Sequence, residues 1–212
     1  MSRGFFLVVE GPEGAGKTTL AKGLAAKFRT AGIEPVLVRE PGGTTVAERI
    51  RTVLLDPGHP IEAVSELFLF LAARADLVAR VIRPALAAGD TVLADRFQLS
   101  TEAYQCGGRG VDPSLFMKAN RAATGGLDPD LTLVLDLPAA LGFERIRAAG
   151  ADLDRIERAG PAFHDRVSEV FRGAAGPGIV HLDATLSPEQ VLLTAWGEVR
   201  GRHPGAPRTE RV

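Results

Sequence analysis

The stretch Gly11-Pro12-Glu13-Gly14-Ala15-Gly16-Lys17-Thr18-Thr19 limits what this chain can fold into more than any other. It follows an apolar run, Phe5–Glu10, and opens a segment of helical periodicity from Lys17 to Ala31. Gly11, Gly16, Lys17 and Thr18 complete the spacing G-x-x-x-x-G-K-[ST]. Glycines let backbone N–H groups curl around an anion, and a helix starting at Lys17 turns its positive end inward. Lys17 then bridges the β- and γ-phosphates of a nucleoside triphosphate, and the Thr18 hydroxyl is a ligand for Mg2+. ATP is the expected nucleotide. A GTPase would carry a guanine-reading N-K-x-D, and the single asparagine, Asn120, sits in Lys-Ala-Asn-Arg instead.

A strand–loop–helix unit of this kind belongs in a parallel sheet, and the remaining pattern supplies one. Phe5–Glu10, Thr91–Asp95, Leu131–Asp136 and Ile179–Asp183 are short buried-strand runs without polar alternation, and Pro35–Arg39 is a weaker fifth. Helical patterns separate them over 45–55, 64–88, 113–124, 138–148, 161–174 and 188–200, with Pro84 kinking or ending the long third one. This predicts an α/β fold, a five-stranded parallel sheet with helices on both faces. A chain of 212 residues, 45% apolar, fits one domain over 1–200. Residues 201–212, rich in Gly, Pro and Arg, read as a frayed tail, and 107–113 and 148–154 as mobile loops.

A formal charge of −1 lacks the basic excess of a nucleic-acid binder, and no apolar run is long enough for a membrane span. With Cys106 as its lone cysteine, the chain reads as a soluble cytoplasmic protein. His59, His164, His181 and His203 lack metal-ligand spacing and read as loop or surface residues.

Residues 91–105 bear on where the phosphate goes. Asp95 ends a strand, where this fold places a second Mg2+-directed carboxylate. Arg96 beside it needs either an anion or a neighbouring carboxylate. Arg51, Arg74, Arg145, Arg147, Arg155 and Arg158 add positive charge, which points to an acceptor that is itself an anion. By charge count alone, however, 145–158 is a solvated face partnered by Glu144, Asp152, Asp154 and Glu157.

The segments EGPEGAGKTT, REPGGT, FLAARADLV, ADRFQLSTEAYQ, DLTLVLDL and DRIE occur in the same order as in bacterial thymidylate kinases, which the chain closely resembles over about residues 5–200. The resemblance implies a nucleoside monophosphate kinase-like fold, transfer of phosphate from ATP to dTMP, Mg2+ and a homodimer. It places ATP on Gly11, Glu13, Gly14, Ala15, Gly16, Lys17, Thr18 and Thr19, with Thr18 and Asp95 toward the metal. It directs Glu13 to the sugar 3′-hydroxyl of dTMP, Phe70 onto thymine, and Arg74 to its O4. Arg96, assisted by Arg51, grips the dTMP phosphate. Thr101 faces the base edge, Ser100 lies nearby, and Tyr104 crowds the sugar 2′ position. The loop itself holds no arginine, so the form of the family with a lid follows. That places a lid at about 145–158, with Arg145 toward ATP and Arg147 and Arg155 toward the transferring group. Two departures stand out: Ala148–Ala149 where related lids carry arginine, and Phe97 where Tyr or His is common. Rival readings are a kinase for another nucleotide or nucleoside, such as dUMP, and an ATP-binding protein that transfers nothing.

Overall fold

The computed structural model describes residues 3–148, 150 and 153–206. Five parallel strands, β1 (Phe6–Glu10), β2 (Val36–Arg39), β3 (Val92–Asp95), β4 (Leu131–Asp136) and β5 (Ile179–Asp183), lie in the order β2-β3-β1-β4-β5. β1 is wholly buried because strands flank it on both sides and helices cover both faces. The edge strand β2 is partly exposed, which is why its sequence signal was the weakest. Every expected strand is present to within a residue.

The alternation of β1 assigns its two faces. Phe5, Leu7 and Val9 pack with Leu20, Leu24 and Phe28 of α1 (Lys17–Thr30) and with Trp196 and Val199 of α9 (Pro188–Arg202). Phe6 and Val8 face Leu77, Val78, Ile82, Leu86 and Phe97. A third cluster joins Tyr104 and Val134 to Phe163, Val167 and Phe171 of α8 (Pro161–Gly173). Fully burying one such side chain contributes about 1.5–3 kcal/mol.

α2 (Thr45–Leu55) is capped by the Thr44 hydroxyl, which accepts from the Ala47 N–H. The long third helix is α3 (Ala63–Leu77), a π-helical turn Val78–Ile82, and α4 (Arg83–Ala88). The break thus falls before Pro84, which has no N–H to give and whose ring crowds the preceding turn. A second π-turn, Glu102–Gly108, continues α5 (Gln98–Thr101). It runs into the expected loop at 107–113, where Arg166 donates to the Gly107 and Gly108 carbonyls. α6 (Pro113–Thr124) and α7 (Ala139–Ala148) complete the helices used below.

Two expectations are corrected. Residues 201–206 are not frayed: α9 runs to Arg202, and His203 and Ala206 are buried. His203 packs 4.8 Å from the Phe5 ring and 2.7 Å from Thr91 Oγ1. His164 is also buried, between the rings of Phe143 and Phe163, and burial lowers its pKa. Ala149, Ala151 and Asp152 of the expected lid loop, and 207–212 of the expected tail, lie outside the described residues.

Candidate active site

In open parallel sheets, ligands bind beyond the carboxyl ends of the strands. The loop after β1 and the turn after β3 meet there, because β1 and β3 are neighbours and Val9 registers with Asp95. Gly16 caps α1 with φ 91°, a left-handed conformation that side chains resist. Gly14 and Gly142 hold the loop against α7: a Cβ on Gly142 would sit 2.2 Å from the Glu13 carbonyl oxygen.

Lys17 is buried and donates from Nζ to the Pro12 carbonyl at 2.6 Å. Burial, reinforced by Arg96, lowers its pKa to about 8 despite the carboxylates nearby. The Thr18 hydroxyl donates to Asp95 Oδ2 at 2.6 Å. A hydroxyl and a carboxylate oxygen side by side are hard donors suited to Mg2+, which keeps several waters. Thr19 lies in the same cleft. Arg145 points into an adjoining cleft walled by Gly14, Ala15, Gly16 and Thr19, and donates to the Ala184 carbonyl at 2.9 Å.

Arg96 is the one described residue other than glycine with positive φ, 75°. Such strain costs roughly 1–3 kcal/mol and persists where surrounding structure fixes it. Its N–H donates to the Val9 carbonyl at 2.9 Å. Its guanidinium donates to Glu13 Oε1 at 2.5 Å and to Ser100 Oγ at 2.9 Å, and lies over the Tyr104 ring. Of the two partners open to Arg96 in the sequence, the structure shows the carboxylate. Burial alone would raise the pKa of Glu13, but Arg96 and Lys17 outweigh it and bring the value to about 2. The Tyr104 hydroxyl donates to the same Oε1 at 2.9 Å.

Sequence reasoning missed Glu10, whose carboxylate shapes this turn. It is fully buried and accepts from the N–H groups of Phe97 and Ser100 and from the Ser100 hydroxyl. Burial raises its pKa against those hydrogen bonds. A lone acid closing an apolar strand was the available signal.

A second cleft lies beside the first, lined by Phe70, Arg74, Ser100, Thr101 and Tyr104. Glu13, Glu40, Arg51 and Arg96 wall both. Phe70 is half-buried rather than core. Arg74 is almost wholly buried and donates to Glu40 Oε2, Asn120 Oδ1, the Phe97 carbonyl and Thr101 Oγ1. Glu40 Oε1 has no hydrogen-bond partner among the described residues. Phe97 is buried edge-on against Phe6 with Arg74 over its ring, a packing role that needs no polar group. Arg51 reaches the Pro41 carbonyl at 3.0 Å.

The structure does not bring all the arginines of 145–158 to the loop. Arg147 is exposed, with Nε on the Phe143 carbonyl. Arg155 lies behind the second cleft, its Nη2 2.6 Å from Glu66 Oε2 and its Nε on the Leu54 carbonyl. The solvated face that charge count alone suggests therefore does not describe Arg155.

Comparisons with known proteins agree with this geometry. The family model "Thymidylate kinase" matches residues 9–193. The thymidylate kinase of Deinococcus radiodurans is 44% identical over 205 residues, covering 95% of this chain and 99% of that one. That of Pseudomonas fluorescens SBW25 is 52% identical over 177 residues, 82% of this chain and 84% of that one. That of Pseudomonas entomophila L48 is 50% identical over 174 residues, 82% of each chain. With a match over most of its length and a phosphate loop facing an arginine-lined cleft, the chain belongs to the thymidylate kinase family.

Proposed function

We propose that this protein transfers the γ-phosphoryl group of ATP directly to the phosphate of dTMP, giving dTDP and ADP. The observation that carries this is the pair of adjoining clefts, one around the phosphate loop and one around Phe70 and Arg74, sharing Glu13, Glu40, Arg51 and Arg96 as a common wall. Two substrates seated there meet end to end.

The acceptor phosphate has a second pKa of about 6, so it is already a nucleophilic dianion at neutral pH and needs no strong base. The obstacle is repulsion between two anions that must approach within ~3–3.5 Å. Gly11, Gly14, Ala15 and Gly16 offer backbone N–H groups to the donor, and Lys17 its charge. Arg145 and Thr19 border the rest of the nucleotide. Thr18 and Asp95 would hold Mg2+, which adds positive charge at the donor phosphates when bound. Arg96 holds the acceptor phosphate with Arg51, leaving Glu13 free to accept from the sugar 3′-hydroxyl. Phe70 stacks on the base, Arg74 and Thr101 read its edge, Ser100 steadies Arg96, and Tyr104 excludes a 2′-hydroxyl. Arg147, exposed and with its Nε on the Phe143 carbonyl, approaches the transferring group. The chain through Ala206 acts as one catalytic domain with a lid near 145–158.

A homodimer is part of the same reading. It is supported by Val64 and Phe68 on α3 and Met117 on α6, large apolar side chains left exposed. A cytoplasmic setting suits the lone Cys106, and no helix among the described residues is long and apolar enough to cross a membrane.

Coupled ADP release across a panel of dTMP, dUMP, ribose TMP and thymidine, with and without Mg2+, tests the proposal. Mg2+-dependent turnover highest with dTMP is expected. ATP binding without dTMP-dependent ADP release would refute it.

A further inference from the structure

Glu66 has no place in the roles above, yet its carboxylate is completely buried and draws together three separate stretches of the chain, its own helix α3, 105–109 and Arg155. It sits in the first turn of α3. Oε1 accepts from Gln105 Nε2 at 2.7 Å and Arg109 Nε at 3.3 Å. Oε2 lies 2.6 Å from Arg155 Nη2. Two arginines face one buried carboxylate, Arg109 by hydrogen bond and Arg155 by an ion pair outside hydrogen-bond geometry, and their charge offsets the cost of burying it.

Arg155 is tied at two further points. Its backbone N–H donates to the Leu55 carbonyl and its Nε to the Leu54 carbonyl at 2.8 Å. Those carbonyls end α2, where a helix leaves acceptors without intrahelical partners and favours a cation. The residues on either side of Arg155 close into a rigid turn. Asp154 Oδ1 accepts from the N–H groups of Ile156 and Glu157, and Glu157 Oε2 accepts from the Asp154 N–H. Asp154, Ile156 and Glu157 all line the dTMP-side cleft, and Arg155 points away from it.

We infer that Glu66 is a positioning residue which, through Arg155, holds the strap 153–157 across the acceptor cleft, so that Arg155 acts as the anchor of that strap and makes no contact with the transferring phosphoryl. The inference rests on the proposed dTMP kinase reading for its kinetic arm. Arg147 is then left to reach the reacting group, and Arg155 governs how the acceptor is enclosed.

The test compares Glu66→Gln, Arg155→Gln and the double variant in kcat, KM for dTMP and KM for ATP, alongside hydrogen exchange at 153–158. Each single change is expected to raise KM for dTMP about tenfold, leave KM for ATP within about twofold, and speed exchange of the strap amides. The double variant is expected to fall within about twofold of either single one, since both break the same tie. Additive losses would overturn the inference. So would a kcat loss of ~10³ in Arg155→Gln at unchanged KM for dTMP, the signature of an arginine on the transferring group. If Glu66→Gln does not fold, Arg155→Gln decides the matter on the same KM-against-kcat split. Hydrogen exchange needs no substrate, so unchanged strap protection in the variants refutes the anchor even if dTMP is not the acceptor. Wild-type turnover absent with dTMP refutes the function alone.

Discussion

Lys17 ties catalysis to pH in a way that can be worked through. Buried beside the Pro12 carbonyl and near the Arg96 cation, it titrates at about 8 in the ligand-free protein rather than at its usual 10.5. The difference of roughly 2.5 pH units corresponds to about 3 kcal/mol against the charged form. ATP phosphates supply the missing anion and return the proton's affinity toward its ordinary value. ATP binding should therefore take up a proton, about half of one per site at pH 8 and about nine-tenths at pH 9. Kd for ATP should weaken about tenfold between pH 7 and pH 9. The unfolded chain holds this proton between about 8 and 10.5 while the native chain has released it, so in the absence of ATP the group makes stability rise with pH across that window. Isothermal titration calorimetry in buffers of different ionisation enthalpy measures the uptake directly. Lys17→Arg, which does not titrate here, should bind ATP with a flat profile over the same range. A wild-type Kd that stays constant from pH 7 to 9 with no proton uptake would show that Lys17 is fully charged before ATP arrives, and the reasoning from burial would fail.

Other outcomes follow from the backbone. Arg96→Gly and Arg96→Ala should both lose dTMP turnover, but the glycine variant should be more stable by ~1 kcal/mol, because only alanine keeps a Cβ at φ 75°. Denaturant titration reads the difference, and equal stability would refute the strain. Gly142→Ala places a methyl 2.2 Å from the Glu13 carbonyl and should displace the phosphate loop, at a cost of ~1–3 kcal/mol and with KM for ATP raised. Unchanged KM for ATP with unchanged Tm would show that α7 yields without moving the loop.

The fold was legible because its signals are local. Apolar runs marked four strands clearly and the fifth more weakly, and of the prolines at 138, 161 and 188 expected in first helical turns, 161 and 188 open α8 and α9 while α7 begins one residue after Pro138. The two π-turns were not legible: the first precedes Pro84, which signals a break without saying its type, and no sequence pattern marks the second. The site was legible in its members and much less in their partners. Lys17, Thr18 and Asp95 come from a motif and a strand end. The bond from Arg96 to Glu13 spans 83 positions and that from Arg155 Nε to Leu54 spans 101, and no periodicity reports contacts at such range. Glu10, Glu40 and Glu66 escaped notice for the same reason: a single acid looks like a surface residue until its donors, which come from other elements, are in view. His164 and His203 reversed the default for scattered histidines because aromatic rings enclose them.

Arg96 pairs with Glu13 through a partly buried ion pair, and this bears on which anions can take its guanidinium. An anion that takes Arg96 must displace a carboxylate already paired with it, so the net gain at that residue is only the difference between two similar attractions. Inorganic phosphate or sulfate offers nothing to the evicted acid and should gain little foothold. A nucleotide brings a sugar hydroxyl along with its phosphate and resettles both halves of the broken pair. Discrimination against the small anions that abound in any cell then follows from the Arg96–Glu13 pair itself, before base or ribose is ever inspected.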